Sequence, residues 1–495
     1  MAEKSLKKNA VFSFIKAFMN LAFPVITFPY ASRILLPEGI GKVNFANSVV
    51  SYFIFIAGLG IGTYATREAS KVRDDKIQLT KFTKEIFTIN LISTAIAYIL
   101  FFIAFIFIPK FHPYRTMLLI CSTKILFTTI GMDWFYSGIE DFKYITLRSV
   151  FFQAISLVFL FIFVRTKDDI LLYTASGIIS SFGSNICNLF YCTKFIDFRL
   201  KVKLELKKHI KPILTFFGMT LATSIYTTLD TTMLGFLSTN AEVGYYSAAT
   251  KISHMVLSLI TAITTVLLPR MSLYINKNDM NSFKTLTNKT VSIITLLSIP
   301  ITAGLFLLAK QIILLFSENE YIPAIIPMQV MTPIVFIISI ASITGTRMLP
   351  AMNKEKIALI SYITGAISNI ICNAIFIPLY GALGAAIGTL IAESIVTGIQ
   401  VIYLHQYIFT KDNFVSLFHS IIGTVIMGIL IIVILKYINN IILQIIIASI
   451  CGTIFYALCL ILLKNKYFIE YYNLLKKKIM KYLIYDFNNN DTIQC

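Results

Sequence analysis

Charge is scarce in this sequence. Only 14% of its 495 residues are Asp, Glu, Lys or Arg, whereas 57% are hydrophobic, and the mean hydropathy is +0.78. A chain so poor in charge cannot cover its apolar side chains with one water-soluble shell, so the solvent it is built for is a bilayer. The seven cysteines include no CxxC pair, which argues against zinc ribbons and a disulfide framework. The five histidines show no HExxH spacing, and neither GxxxxGK[ST] nor GxSxG is present. Resident metal, ATP hydrolysis and hydrolase chemistry are therefore not encoded, no cofactor is expected, and the chain does not read as an enzyme.

What is there is a succession of apolar runs of about 20 residues, the length that crosses a bilayer as a helix. The pattern predicts an all-α integral membrane protein with about fourteen spans. They include 10–34, 43–66, 212–237, 243–268, 415–435 and 440–463. The first run follows Lys4, Lys7 and Lys8, is longer than a signal-peptide core, and is expected to stay as a span. Most of the 43 Lys and Arg residues fall in the termini and in loops after even-numbered spans, which predicts both termini on the cytoplasmic side. The net charge of +19 is thereby read as topology and contact with anionic membrane lipids, not as nucleic-acid binding. Loops expected outside are short, leaving no room there for a catalytic domain.

The stretch YASRILLPEGIGKVNFANSVVSYFIFIAGLGIGTYATREAS has a fainter copy 203 residues later, superposing Gly41 on Gly244, Ala46 on Ala249 and Arg67 on Arg270. Each copy repeats apolar span, Gly-containing loop, apolar span, Arg, as an internal duplication would. Each copy holds six spans, an even number, so the two lobes should be related by an axis along the membrane normal. The expected divisions are 1–205 and 206–410 for the lobes, 411–464 for two additional helices, and 465–495 for a cytoplasmic amphipathic tail. Gly58, Gly60 and Gly62 sit inside an apolar span with no strand before them, and read as a bend or a close helix approach.

Polar residues inside the spans mark what the membrane should penalise. Ser13, Lys16, Asn20 and Thr27 fall on one helical stripe of span 1. Thr220, Thr223, Thr227 and Asp230 fall on a similar stripe of span 7, and Ser247, Lys251, His254, Ser258 and Thr261 share a face of span 8. A lysine exposed to lipid at the bilayer centre costs roughly 2.5–3.5 kcal/mol, so Lys16, Lys124 and Lys251 should face water, a partner or a cavity. With Arg33, Arg67, Arg270 and Arg347 near span ends, that cavity is net cationic and suits an anionic cargo such as a phosphate or diphosphate head. Asp230 either neutralises a lysine such as Lys251 or binds a coupling proton or sodium ion, with His254 close by. Asp133 and Glu393 are further acids within or at the edge of spans.

The runs SRILLPEGIGKVNFANS and GLGIGTYATREAS resemble the first loop and second helix of Wzx-type polysaccharide flippases, in the multidrug, oligosaccharidyl-lipid and polysaccharide exporter superfamily. LDTTMLGFLSTNAEVGYYSAATK resembles that family's seventh-helix pattern, carried here by Asp230, Leu234, Gly235, Val243, Gly244, Tyr246 and Ala249, and PLYGALGAAIGTLIAES resembles its twelfth helix. The resemblance implies two six-helix lobes in a MATE-like V, two further helices, and movement of undecaprenyl-diphosphate-linked glycan across a bacterial inner membrane by alternating access. It would place Lys16, Arg33, Lys124, Lys251 and Arg270 in a basic central cavity. Asn20, Thr27, Thr223, Thr227 and Ser247 would line it, and coupling to a proton or sodium gradient stays open. A polysaccharide polymerase and chain-length machinery for O-antigen or capsule are the implied partners. Two alternatives stand beside this reading: an ion-coupled multidrug-type exporter, and a flippase for lipid-linked peptidoglycan precursor.

Overall fold

A computed structural model describes residues 6–264 and 267–473, the side chains of residues 6, 7, 10, 218–227, 262 and 263 excepted. Among the described residues the chain is predominantly helical and contains no strand. Eleven helical stretches are long and apolar enough to cross a membrane, against the expectation of about fourteen spans. One of the eleven, Val11–Val72, runs over two expected spans, and two more expected spans fall on helices whose side chains are partly undescribed. Helices carry Phe107, Phe190, Ile402, Phe414 and Leu462 with most of their surface uncovered, an apolar exterior that fits lipid and not water.

The first helix, α1 (Leu6–Gly58), is broken at Leu36, which has φ 59° and ψ 174°. Pro37 follows, and a proline disfavours helical geometry in the residue before it; the positive φ adds a sharp turn that a leucine adopts only under constraint. α2 (Ile61–Val72) starts after Gly60, whose φ of 68° suits glycine. A side chain on Gly60 would meet the backbone of Phe217 at 2.6 Å, so this glycine serves a bend and a close approach. α3 (Lys76–Phe107) is capped by Asp75, which accepts from the backbone N–H of Ile77 at 2.8 Å and of Gln78 at 3.0 Å. α4 (Arg115–Gly131) and α5 (Asp133–Gly138) are separated at Met132, φ 43°. α6 (Phe142–Phe163), α7 (Ile170–Ile178) and α8 (Asn185–Tyr191) follow, the last two joined through a π-helical turn at Ile179–Gly183. α9 (Lys207–Leu237) and α10 (Asn240–Thr264) lead into α11 (Leu267–Asn276) and α12 (Met280–Leu307).

Contacts divide the chain into two compact units. One comprises residues up to Ala248 with Phe316–Ala324 and Ala366–Gly388; the other comprises Ala249–Leu315, Ile325–Gly365 and the remainder from Thr389. In the first unit α1 packs against α3, α4, α6 and α9. Here the two copies of the internal repeat touch at equivalent glycines. A Cβ on Gly41 would collide with the carbonyl of Asn240 and lie 3.1 Å from the nitrogen of Gly244, and a Cβ on Gly244 would collide with the carbonyl of Pro37. Asn240 binds this junction from both directions, donating to Glu38 at 2.8 Å and accepting from the Tyr114 hydroxyl at 2.5 Å.

On the opposite flank of the first unit, a buried carboxylate holds three segments together. Glu85 on α3 is 1% exposed. It meets His209 Nε2 at 2.8 Å, accepts the Glu205 backbone N–H at 2.8 Å and pairs with Lys208 at 3.1 Å, while His209 Nδ1 meets the Tyr64 hydroxyl at 2.7 Å. The segment from Glu205 to His209, at the boundary expected between the lobes, is thus pinned to α2 and α3.

α13 (Pro333–Ile343), α16 (Lys411–Tyr437) and α17 (Ile441–Leu462) belong to the second unit, whereas α14 (Glu355–Tyr380) and α15 (Ala382–Tyr403) each run through both, Ala366–Gly388 counting with the first. α13 runs into a π-helical turn at Thr344–Met348. There Thr344 donates to Gln400 at 2.7 Å and Gln400 donates to Ser361 at 2.9 Å. α16 and α17, expected as an addition to the repeat, pack on α12; Tyr456 on α17 donates to the carbonyl of Leu296 at 2.7 Å. Of the tail expected over 465–495, only the portion up to residue 473 lies among the described residues.

Candidate functional site

The polar stripe of α1 meets a charged cluster on α5, α6 and α8. Lys16 is half-buried and lies within electrostatic range of both Asp133 and Arg148. Arg148 on α6 is 8% exposed. Its Nη2 donates to Asp133 Oδ1 at 2.8 Å, and the Tyr144 ring lies 5.6 Å from the guanidinium carbon. Asn188 on α8 donates to the same carboxylate oxygen at 3.3 Å and to the carbonyl of Gly131, where α4 ends. One turn along the α1 stripe, Asn20 accepts from Gln153 on α6 at 2.8 Å, and Thr146 donates to the carbonyl of Phe12 at 2.9 Å. The break at Met132 is what aims Asp133 across the bundle at Arg148.

Farther along, the stripe changes character. Thr27 is buried and donates to the Phe23 carbonyl of its own helix at 3.0 Å, a local bond that satisfies the hydroxyl without a cavity. Arg33 is exposed and pairs with Glu318 at 3.4 Å, beside Ser32, which donates to the carbonyl of Phe316 at 3.0 Å. Lys124 is half-buried and donates to Asn47 Oδ1 at 2.5 Å. Lys16 and Lys124 therefore each have a polar neighbourhood inside the first unit, supplied by different helices.

Asp230 forms a second, separate centre. It is 6% exposed, with Oδ2 accepting from Tyr246 at 2.6 Å and Oδ1 accepting from Asn373 at 2.6 Å. Asn373 also donates to Asn369 at 3.1 Å, and its own Oδ1 is buried with no hydrogen-bond partner among the described residues. A carboxylate beside an unmatched amide oxygen is a donor set that a proton or a small hard cation would complete. Ser247, next to Tyr246, donates to the Val243 carbonyl at 2.6 Å. Thr223 and Thr227, expected on the Asp230 stripe, lie outside the described side chains.

The remaining candidates belong to the second unit. Lys251 is half-buried, whereas His254 and Arg270 are exposed. Arg347 donates to the carbonyl of Thr264 at 3.0 Å from the π-helical turn, and Glu393 is 8% exposed. Among the described residues no group of His, Cys, Asp and Glu could hold a metal ion through three such ligands.

Four residues escaped the sequence reading: Arg148, Asn47, Asn373 and His209. Arg148 was detectable as an arginine at the start of the apolar run expected to span over 145–164. Its partner lies 15 residues earlier on another helix, a relation that helical periodicity does not reveal. The asparagines carry no charge, so the penalty that singled out the lysines passed over them.

The sequence matches the family described as polysaccharide biosynthesis protein over residues 6–275 and the MatE family over residues 216–375. It is 25% identical over 408 residues to a protein of Escherichia coli (strain K12) named "Putative O-antigen transporter", covering 81% of this chain and 97% of that one. Among solved structures it resembles "Lipid II flippase MurJ, inward closed conformation", with TM-score 0.74, 20% identity and coverage of 94% of this chain and 100% of the other. It also resembles a multidrug resistance MATE family transporter in its inward-facing conformation, with TM-score 0.62, 16% identity and coverage of 79% and 94%. These structural likenesses establish the fold shared with both transporters. A multi-pass helical membrane protein whose sequence matches over more than half its length, this chain belongs to the polysaccharide biosynthesis protein family.

Proposed function

We propose that the protein is a flippase, not an enzyme, and that it moves undecaprenyl-diphosphate-linked oligosaccharide repeat units from the cytoplasmic to the outer leaflet of the inner membrane. The observation that carries this reading is the similarity to the Escherichia coli protein over 97% of that protein's length, in a family described by polysaccharide biosynthesis. The chemistry of the spans agrees with it. Lys16, Lys124 and Lys251 lie within apolar helices at half-buried positions, and cations there match a diphosphate better than a neutral or cationic cargo. In this reading Arg33 and Arg270 add to the cations that meet the anionic cargo, both termini are cytoplasmic, and the lobes are residues 1–205 and 206–410.

Coupling belongs to Asp230. Its carboxylate with Asn373 and Asn369 would take up a proton or sodium ion, so that the gradient biases one orientation of the lobes over the other. Polymerase and chain-length proteins would receive the cargo outside.

The test is the sidedness of lipid-linked glycan in cells depleted of this protein and lacking a redundant flippase. Accumulation on the cytoplasmic leaflet, relieved by wild type but not by Lys16→Ala or Lys251→Ala at equal membrane abundance, is expected. Normal sidedness in depleted cells would overturn the reading and favour the multidrug-type exporter suggested by the MatE match over 216–375.

A further inference from the structure

Arg148 is an expensive residue whose hydrogen bonds do not close. A buried arginine is costly unless its donors are paired, and Asp133 engages only one of its nitrogens. Nε and Nη1 are buried with no hydrogen-bond partner among the described residues, and the same holds for Oδ1 of Asn188, which shares the Asp133 carboxylate. A guanidinium presents its donors as a planar fork suited to two oxygens of one phosphate or carboxylate. Two of those donors are left over here.

The local charge points the same way. Among the described residues Asp133 is the carboxylate that pairs with Arg148, and Lys16 lies within electrostatic range of both, so two basic side chains share one acid. Asp133 has 54% of its side chain exposed while the Arg148 side chain has 6%. The counter-ion is thus the accessible member and the arginine lies beneath it, so an incoming anion reaches Asp133 first and can displace it.

Depth then narrows the occupant. Arg148 follows the start of α6 by less than two turns, about 9 Å along the helix axis. The preceding loop is tied by Arg73 to Glu140, at 2.6 Å, on the side that carries the basic stretch from Arg67 to Lys84. With α6 spanning the bilayer, this position near its start would bring the cluster close to the headgroup layer of the basic face, within reach of a phosphate on a lipid in that leaflet.

We propose that Arg148 and Lys16 form an oxyanion-binding site, with Asp133 as a displaceable counter-ion, which receives the acidic group of the cargo as it enters from the basic face. This rests on the flippase reading for its cargo but not for its chemistry. Phosphate oxygens of the lipid carrier and a carboxylate on a sugar share that chemistry. Inorganic pyrophosphate and glucuronate separate the two sources.

The experiment measures binding of each probe to the full-length protein in nanodiscs, for wild type, Arg148→Gln, Arg148→Lys and Asp133→Asn, with thermal unfolding recorded alongside. The expected result is probe binding by wild type, weakened about tenfold or more in Arg148→Gln and less in Arg148→Lys, which keeps the charge without the fork. Asp133→Asn should bind at least as tightly as wild type, because it removes the competitor. A purely structural ion pair would instead lower the melting temperature of both Arg148→Gln and Asp133→Asn while leaving affinity untouched, and that outcome overturns the site, as does wild type that binds neither probe. Should Arg148→Gln not yield folded protein, the opposite shifts of Arg148→Lys and Asp133→Asn carry the test. Glycan flipping by wild type with affinity unchanged in the Arg148 variants would remove the site and leave the transport reading standing. Probe binding without flipping would do the reverse.

Discussion

Single residues inside the membrane divide by how they are satisfied. Thr27 closes its hydrogen bond on its own helix, so Thr27→Val should leave transport and folding within about 1 kcal/mol of wild type. Asp230 is different, since its two oxygens accept from Tyr246 and Asn373 on separate helices. Asp230→Asn preserves shape and keeps one acceptor oxygen for the Asn373 amide while its own amide N–H can donate to the Tyr246 hydroxyl, so a melting temperature close to wild type is expected. Loss of cation-gradient dependence in that folded variant would mark the carboxylate as the coupling group, and gradient dependence equal to wild type would remove that role. His209 is structural in this account. Replacing it by Ala leaves Glu85, 1% exposed, without one of its main partners, at a cost of roughly 2 kcal/mol, which a thermal unfolding series should register.

The lysines of α1, α4 and α10 were legible because charge within an apolar run is conspicuous in one dimension. Arg148 with Asp133 was not, because its meaning depends on a break at Met132 and on the relative placement of α5 and α6. Residue type signals cost in the membrane, and only the fold supplies the partner.

At the scale of elements, the internal repeat was readable as a recurring pattern, and the structure adds what the pattern is for at one point. Gly41 and Gly244, superposed by the offset of 203 residues, lie against each other's loops with no room for a methyl group. Gly41→Ala and Gly244→Ala should therefore each reduce the yield of folded protein or lower its melting temperature. Gly62→Ala, where a Cβ meets nothing within 4 Å, should not. The GxGxG run similarly resolves into one glycine needed for φ and close approach, Gly60, and two with open space. Helix ends outside the membrane give a pH signature. Asp75 is held below the usual carboxylate range by the backbone N–H of Gln78 and then of Ile77, and Glu205 by hydrogen bonds from Lys81 and Lys208. A carboxylate whose folded pKa is depressed stabilises above its unfolded value, near 3.9 for Asp, and loses that contribution as pH falls through the folded value. Amide protection in the first turn of α3 should therefore drop on acidification below about pH 4, and Asp75→Asn should flatten that dependence.

For the molecule as a whole, the solvent was the most legible property. The apolar runs that composition and hydropathy single out form helices with uncovered apolar faces. The break at Leu36 divides α1 where hydropathy shows two runs, and two further expected spans fall on helices whose side chains lie partly outside the described residues. Cargo is a whole-molecule property too, since it follows from which charged groups from different helices converge, and no short motif encodes a sugar.

The most direct measurement of the central claim is reconstitution of the purified full-length protein into proteoliposomes, with undecaprenyl-diphosphate-linked oligosaccharide placed in one leaflet and its appearance in the other followed over time. The account predicts protein-dependent movement of this lipid, slowed at least tenfold by Lys16→Ala, with no comparable transport of a cationic drug. Transport of the drug, with no acceleration of the lipid over protein-free vesicles, would contradict it.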